Sequence, residues 1–158
     1  AGVSVVQIVG EFEDKLNAAD LTLLIQKPET PVYVMADGRH FWRVIDNLMN
    51  NICKYAQPGT RVYVDLRENG GQVELIFRNT SRYPLNISSE ELMERFVRGD
   101  ESRNTEGSGL GISIAKSLME LMGGSFMLYV DGDLFKVVLG FAQMEEEKEP
   151  LDEDKSGK

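Results

Sequence analysis

The stretch Arg39-His40-Phe41-Trp42-Arg43-Val44-Ile45-Asp46-Asn47-Leu48-Met49-Asn50-Asn51-Ile52-Cys53-Lys54-Tyr55 carries two patterns at once. Phe41, Val44, Ile45, Leu48, Met49, Ile52 and Tyr55 recur at steps of three and four, the apolar stripe of a long helix. Asp37 stands where an N-cap is wanted, and Pro58-Gly59 ends the pattern. On another face Asn47, Asn51 and Lys54 fall at i, i+4 and i+7 and so point the same way. Asparagine is a mediocre helix former, so its clustering at Asn47, Asn50 and Asn51 asks for a reason beyond the helix itself. Amide oxygens are hard ligands that suit Mg²⁺, and a lysine one turn on can meet a phosphate. A solvated polar face is the alternative.

The flanking segments set this helix in an α/β context. Upstream, Val5, Val6, Ile8, Val9, Phe12 and Leu16 predict an amphipathic helix over Val3 to Leu16. Leu21 to Ile25 and Val32 to Met35 read as strands separated by a turn at Pro28 and Pro31. Downstream, Arg61 to Arg67 alternates Val62, Val64 and Leu66 with polar residues, and Val73 to Phe77 returns after the hairpin signal Asn69-Gly70-Gly71. Leu110 to Met122 is a second helix, stopped by Gly123-Gly124. Ser125 to Val130 and Leu134 to Phe141 form a last hairpin around Asp131-Gly132-Asp133. Helix, strands, long helix, hairpin, helix and hairpin in that order predict a two-layer α/β sandwich. Its sheet is mixed but mostly antiparallel, with helices covering one face.

Between the hairpin and the second helix, Asn79 to Gly109 is loop-rich, with one short helix from Ser89 to Phe96 that Ser88 or Ser89 could cap. It contains Arg95-Phe96-Val97-Arg98-Gly99-Asp100-Glu101-Ser102-Arg103 and ends in Gly107-Ser108-Gly109-Leu110-Gly111-Ile112. Glycines opening a helix let backbone N–H groups and the positive dipole end meet an anion. A flexible loop before a helix would read the same way. The Walker A spacing is absent, and no first strand precedes the glycines as in a Rossmann turn. Arginines in a Gly-containing loop could clamp a triphosphate or be ordinary surface charge.

Taken together and in this order, these three segments resemble the N box, F box and G2 box of histidine kinase ATP-binding domains. That superfamily also holds gyrase-type, chaperone and mismatch-repair ATPases. The resemblance runs from about Asp37 to Phe141 and implies a Bergerat-type fold binding ATP and Mg²⁺. It implies Asn51 as the main protein ligand of Mg²⁺, with Asn47 in support. Lys54 would approach the phosphates and Tyr55 would pack along the nucleotide. Phe96 would anchor a lid over about 79–109, and Arg98, with Arg103, would approach the terminal phosphate. Gly107, Gly109, Leu110 and Gly111 would line the phosphates through their backbone, and Asn51, Lys54 and Arg98 would serve transfer itself. Asn79 stands where the family has an Asp that accepts from the adenine amino group. The two glycines that follow that Asp are missing from Asn79-Thr80-Ser81-Arg82-Tyr83. Asn79 still offers one acceptor.

The hydrolysing branches place a Glu four residues before the metal-binding Asn, as general base. Here that position is Asn47, which argues for phosphoryl transfer to another group. The expected activity is donation of the γ-phosphoryl group to a histidine on a dimerisation domain outside this chain, and onward to a response regulator. His40 is followed by Phe41 rather than Glu or Asp and is not expected to be the acceptor. Residues 1–19 would then be a connector from that domain, 20–143 the catalytic domain and 144–158 a disordered acidic tail. A regulatory or docking module that binds nucleotide poorly is the alternative. A sigma-factor-inhibiting serine kinase is a third reading, disfavoured by Asn47.

Composition agrees. The chain has 158 residues, net charge −9, one Cys and one His, so it can form neither an intrachain disulfide nor the usual Cys/His zinc site. Seven acidic residues against three lysines lie between Met144 and Lys158. An acidic chain is a poor nucleic-acid partner. No apolar run reaches the roughly 20 residues a membrane helix needs. A monomeric cytoplasmic domain is expected, touching no membrane itself, although the parent protein could be membrane-anchored.

Overall fold

A computed structural model of the chain describes residues 2–98 and 110–143. The tail at 144–158 and the middle of the lid, including Arg103, Gly107 and Gly109, lie outside the described residues.

Five strands form the main sheet: β2 (Leu21–Gln26), β4 (Thr60–Asn69), β5 (Gln72–Thr80), β6 (Ser125–Asp131) and β7 (Leu134–Ala142). Their order is β2-β4-β5-β7-β6. β2 runs parallel to β4, and every other pair is antiparallel. A separate two-stranded sheet pairs β1 (Gly2–Ser4) with β3 (Tyr33–Met35). The helices are α1 (Val5–Gly10), α2 (Glu13–Ala18), α3 (Gly38–Tyr55), α4 (Ser89–Arg98) and α5 (Leu110–Leu121). This is the expected two-layer α/β sandwich, with helices on one sheet face.

The pleat decides which face is covered. Val62, Val64 and Leu66 of β4, Val73, Leu75 and Phe77 of β5, and Val137, Leu139 and Phe141 of β7 are all buried at alternate positions. They meet Phe41, Val44, Ile45, Leu48 and Met49 of α3 and Ile112, Ala115 and Met119 of α5. Each fully buried Phe, Leu or Ile of this kind contributes about 1.5–3 kcal/mol. The same stripe that makes α3 amphipathic therefore seats it on the sheet.

Local signals explain the element ends. Asp37 caps α3, accepting from the backbone N–H of Arg39 at 2.9 Å and of His40 at 3.2 Å. Ser88 caps α4 by accepting from Glu91 N–H at 3.0 Å. Ser89 instead ties α4 to the sheet by accepting from Val130 N–H at 2.9 Å. Gly70 and Gly71 both have positive φ, +58° and +87°, as the two-residue turn between β4 and β5 requires.

One expectation fails. Val3 to Leu16 is not a single helix: Gly2–Ser4 pairs with β3, and α1 and α2 are separated at Glu11-Phe12. Glu11 and Phe12 donate to Ile8 and Val9 carbonyls, at 3.1 Å each, which tightens the turn after Gly10, a poor helix former. The buried residues Val5, Val9, Phe12 and Leu16 keep helical phase across the break, so the periodicity does not betray it. The strand expected over Val32 to Met35 forms as β3 and pairs with β1 in the small sheet.

Candidate functional site

The C-terminal half of α3 lies beside the end of β5, and backbone geometry holds the two together. An isolated bridge joins Ala56 to Ser81. Gln57 N–H donates to Thr80 O at 2.8 Å and Arg82 N–H to Tyr55 O at 2.8 Å. The Arg82 Nε–H adds a bond to Ala56 O at 3.3 Å. On the far side, Ser81 N–H donates to Asp133 O at 2.7 Å, fastening the same segment to the β6–β7 turn.

Between this clamp and α4 lies a cavity of about 320 Å³. Asn51 and Tyr55 enter it from α3, Asn79 and Ser81 from the end of β5, Arg95 and Phe96 from α4, and Phe135 from β7. Tyr83 to Ile87 close the remaining wall. The apolar part is firm: Leu92 and Phe96 are buried, and the Phe96 ring meets Phe135 edge-on at 6.5 Å between centroids. The polar part is buried too, with Asn51 9%, Asn79 4% and Ser81 7% exposed. No hydrogen bond within the described residues engages the side-chain amide of Asn51 or Asn79. Ser81 Oγ accepts from Tyr83 N–H at 3.1 Å. Neither amide is among the buried polar atoms left without a partner, so both open onto the cavity, where water or the polar edge of a ligand can meet them.

The other residues singled out in the sequence fall around this cavity rather than all within it. Asn47, one turn before Asn51, touches α5: a Cβ built on Gly111 would stand 3.2 Å from Asn47 Oδ1. Asn47 Nδ2 donates to Arg43 O at 2.9 Å, which turns that oxygen toward Gly111. The Lys54 ammonium lies 5.3 Å from the centre of the Tyr55 ring, an intramolecular cation–π contact at the end of α3. Leu110 opens α5 and is exposed. Arg98 lines a different groove, between α4 and β6, and pairs with Glu94 at 3.9 Å. Arg95 is the arginine that lines the cavity, held by Glu91 at 3.2 Å.

Sequence reasoning missed Ser81 and Arg95 as site residues. Ser81 could have been found from the strand period, two residues beyond Asn79 on the same face. Arg95 stands three residues after Leu92, on the face that carries the buried Leu92 and Phe96.

His40 sits at the cap of α3, outside the cavity. Cys53 is half-buried, and burial pushes its thiol pKa up, only partly offset by the charge of Lys15. Trp42 is partly exposed, with its ring 5.5 Å from that of Phe12. Among the described residues no group of three His, Cys, Asp or Glu could hold a metal, and no helix is long and apolar enough to cross a membrane.

Known proteins share this fold. Residues 36–150 match the family model described as Histidine kinase-, DNA gyrase B-, and HSP90-like ATPase. The probable sensor kinase SilS of Salmonella typhimurium is 29% identical over 137 residues, covering 85% of this chain and 28% of that protein. The probable sensor protein PcoS of Escherichia coli is 34% identical over 110 residues, 67% of this chain and 24% of its own length. The chain thus spans about a quarter of these curated relatives. Among solved structures, the catalytic domain of histidine kinase ThkA aligns with a TM-score of 0.76 at 19% identity, covering 90% of this chain and 95% of that one. The mycobacterial sensor histidine kinase MprB aligns with a TM-score of 0.72 at 21% identity, over 90% and 97%. The chain belongs to the histidine kinase-, DNA gyrase B- and HSP90-like ATPase family and is a sensor-kinase type of ATP-binding domain.

Proposed function

We propose that the cavity between α3, α4 and the end of β5 binds the base of ATP, and that the domain serves a histidine kinase. It would donate the γ-phosphoryl group to a histidine on a dimerisation domain outside this chain, for onward transfer to a response regulator. One observation carries the reading: the amides of Asn51 and Asn79, with no hydrogen-bond partner among the described residues, open onto one aromatic-walled cavity from two different elements. Nucleotide bases need such a slot, with apolar faces and a polar edge.

Asn51 also fits a magnesium ion. Its amide oxygen is a hard donor with no hydrogen-bond partner among the described residues, and Mg²⁺ commonly uses one or two protein ligands and takes the rest from phosphates and water. When bound, the ion would neutralise charge developing on the phosphates. Asn51 would supply the protein's ligand and Asn47 would support it from the preceding turn. Lys54 would add positive charge beside the phosphates, while Tyr55 would pack along the nucleotide. Phe96 holds α4 over the cavity. Arg103 and the backbone of Gly107, Gly109, Leu110 and Gly111 would meet the triphosphate, and Arg98 would join them by turning out of the groove it lines against β6. Asn47, which cannot take a proton at neutral pH, favours transfer to another group over hydrolysis. Catalysis of this kind is positioning and charge neutralisation.

Residues 1–19 are read as a connector from the dimerisation domain, and the protein's working place as the cytoplasm. Without that partner domain, the isolated chain is expected to be monomeric and not to phosphorylate itself.

The test is a titration of the chain with ATP, with and without Mg²⁺, beside Asn51→Ala. Saturable, Mg²⁺-dependent binding that collapses in the variant is expected. No binding at millimolar ATP would sink the proposal and favour a docking module.

A further inference from the structure

Where β5 ends, the polar edge of the cavity is made by Asn79 and Ser81, which can each both donate and accept. Asn79 is 4% exposed, its backbone fixed opposite Phe135 in the β5–β7 ladder. Its side chain lines the cavity without a partner among the described residues. A carboxamide carries an acceptor oxygen at one end and two N–H donors at the other. Rotation about its last torsion exchanges them, and that torsion is broad and roughly two-fold. Ser81, on the same strand face, spends one lone pair on Tyr83 N–H and keeps its own proton and its second lone pair available.

A purine presents its 6-position and ring N1 side by side. In a 6-aminopurine that edge reads donor then acceptor. In a 6-oxopurine it reads acceptor then donor. A carboxylate at position 79 could only accept, and would leave itself unmatched against a 6-oxo group. Asn79 with Ser81 can match either edge by turning one amide and one hydroxyl.

We infer that the site accepts 6-oxopurine nucleoside triphosphates as well as ATP, with Asn79 as the residue that sets this choice. The inference rests on the reading that this cavity holds the base of a nucleotide.

The test is the affinity of the full chain for Mg-ATP, Mg-ITP, Mg-GTP and Mg-CTP, measured by displacement of a fluorescent ATP analogue. ITP isolates the 6-position, because it lacks the 2-amino group of GTP. ATP and ITP are expected to bind within about fivefold of each other. In Asn79→Asp the ratio is expected to move toward ATP by about tenfold or more, the usual effect of leaving one buried polar group unmatched. ATP binding with ITP more than about twentyfold weaker in the unaltered chain overturns the inference and leaves the ATP reading intact. CTP binding as well as the purines would also overturn it, since the edge would then not be read. Absence of ATP binding overturns both. If Asn79→Asp does not fold, the ATP-to-ITP ratio of the unaltered chain still decides.

Discussion

Substituting Gly111 by alanine probes whether the contact between α3 and α5 belongs to the nucleotide site. The new Cβ would lie 3.2 Å from Asn47 Oδ1 and 3.7 Å from Asn47 Cβ and Cγ. That is about 0.3 Å inside the ~3.5 Å at which carbon contacts become favourable, so Asn47 must yield. It is tethered, because its Nδ2 donates to Arg43 O at 2.9 Å. Stretching or breaking that bond costs about 1 kcal/mol. Against this, alanine gains up to about 1 kcal/mol over glycine in a helix, and less in a first turn such as this one. The two effects nearly cancel, so the melting temperature should move by only a few degrees. Binding should not cancel: the displaced oxygen is one turn from Asn51, and loss of one hydrogen-bond equivalent corresponds to about a fivefold weaker Mg-ATP affinity. Thermal melting and ATP titration on the same preparation separate the two. An unchanged affinity with an unchanged melting temperature would refute the role of Asn47. A fall of more than about 10 °C would refute the estimate of room around Gly111.

Three further outcomes are expected. At the end of α5, Gly123 N–H donates to Glu120 O and Gly124 N–H to Met119 O, with Gly123 at φ +80°. Gly123→Ala meets nothing within 4 Å and should cost about 1 kcal/mol from backbone strain alone. Gly124→Ala would put Cβ 2.5 Å from Gly140 O and should cost about 2–3 kcal/mol; equal losses on urea unfolding would show that the backbone gives way there. Phe96→Ala should lose about 3 kcal/mol and weaken nucleotide binding, since the ring is buried against Phe135; a loss below about 1 kcal/mol on urea unfolding would mean α4 is not packed. Asp37, its carboxyl pKa lowered first by His40 N–H and then by Arg39 N–H, contributes stability that is fully present above the ordinary aspartate value of about 3.9 and is lost as pH falls below it. Asp37→Ala should therefore lower the melting temperature at pH 7, and the gap to the unaltered chain should narrow toward pH 2 on thermal melting; a constant gap would refute the charged cap.

The sequence is most legible where structure is decided locally. The α3 stripe and its Asp37 cap, the Asn69-Gly70-Gly71 turn and the Gly123-Gly124 stop each rest on residues within a few positions of one another, and each recurs in the fold. The N-terminal segment is illegible for the opposite reason. Val5, Val9, Phe12 and Leu16 hold helical phase across a break made by backbone bonding around Gly10, and Val3 turns extended only because Val34 is there to pair with it. No periodicity reports a partner thirty residues away. The parallel pairing of β2 with β4 is hidden in the same way.

The site divides along the same line. Asn47 and Asn51 stand out because one helix face displays them, whereas Ser81 and Arg95 become site residues only when α3, β5 and α4 converge. What makes them converge is mostly backbone: the Ala56–Ser81 bridge, made by the Gln57 and Arg82 N–H bonds, fixes the end of α3 to the end of β5, and Ser81 N–H fastens that end to the β6–β7 turn, whatever the side chains are. The position of Asn79 is therefore set by its place in the β5–β7 ladder, not by its amide. An amide in place of a carboxylate at such a position changes what the cavity can read while leaving the scaffold alone. Departures from a family pattern confined to a ladder-held side chain should thus alter ligand choice before they alter fold, and the backbone clamp is the reason that choice can vary here at little structural cost.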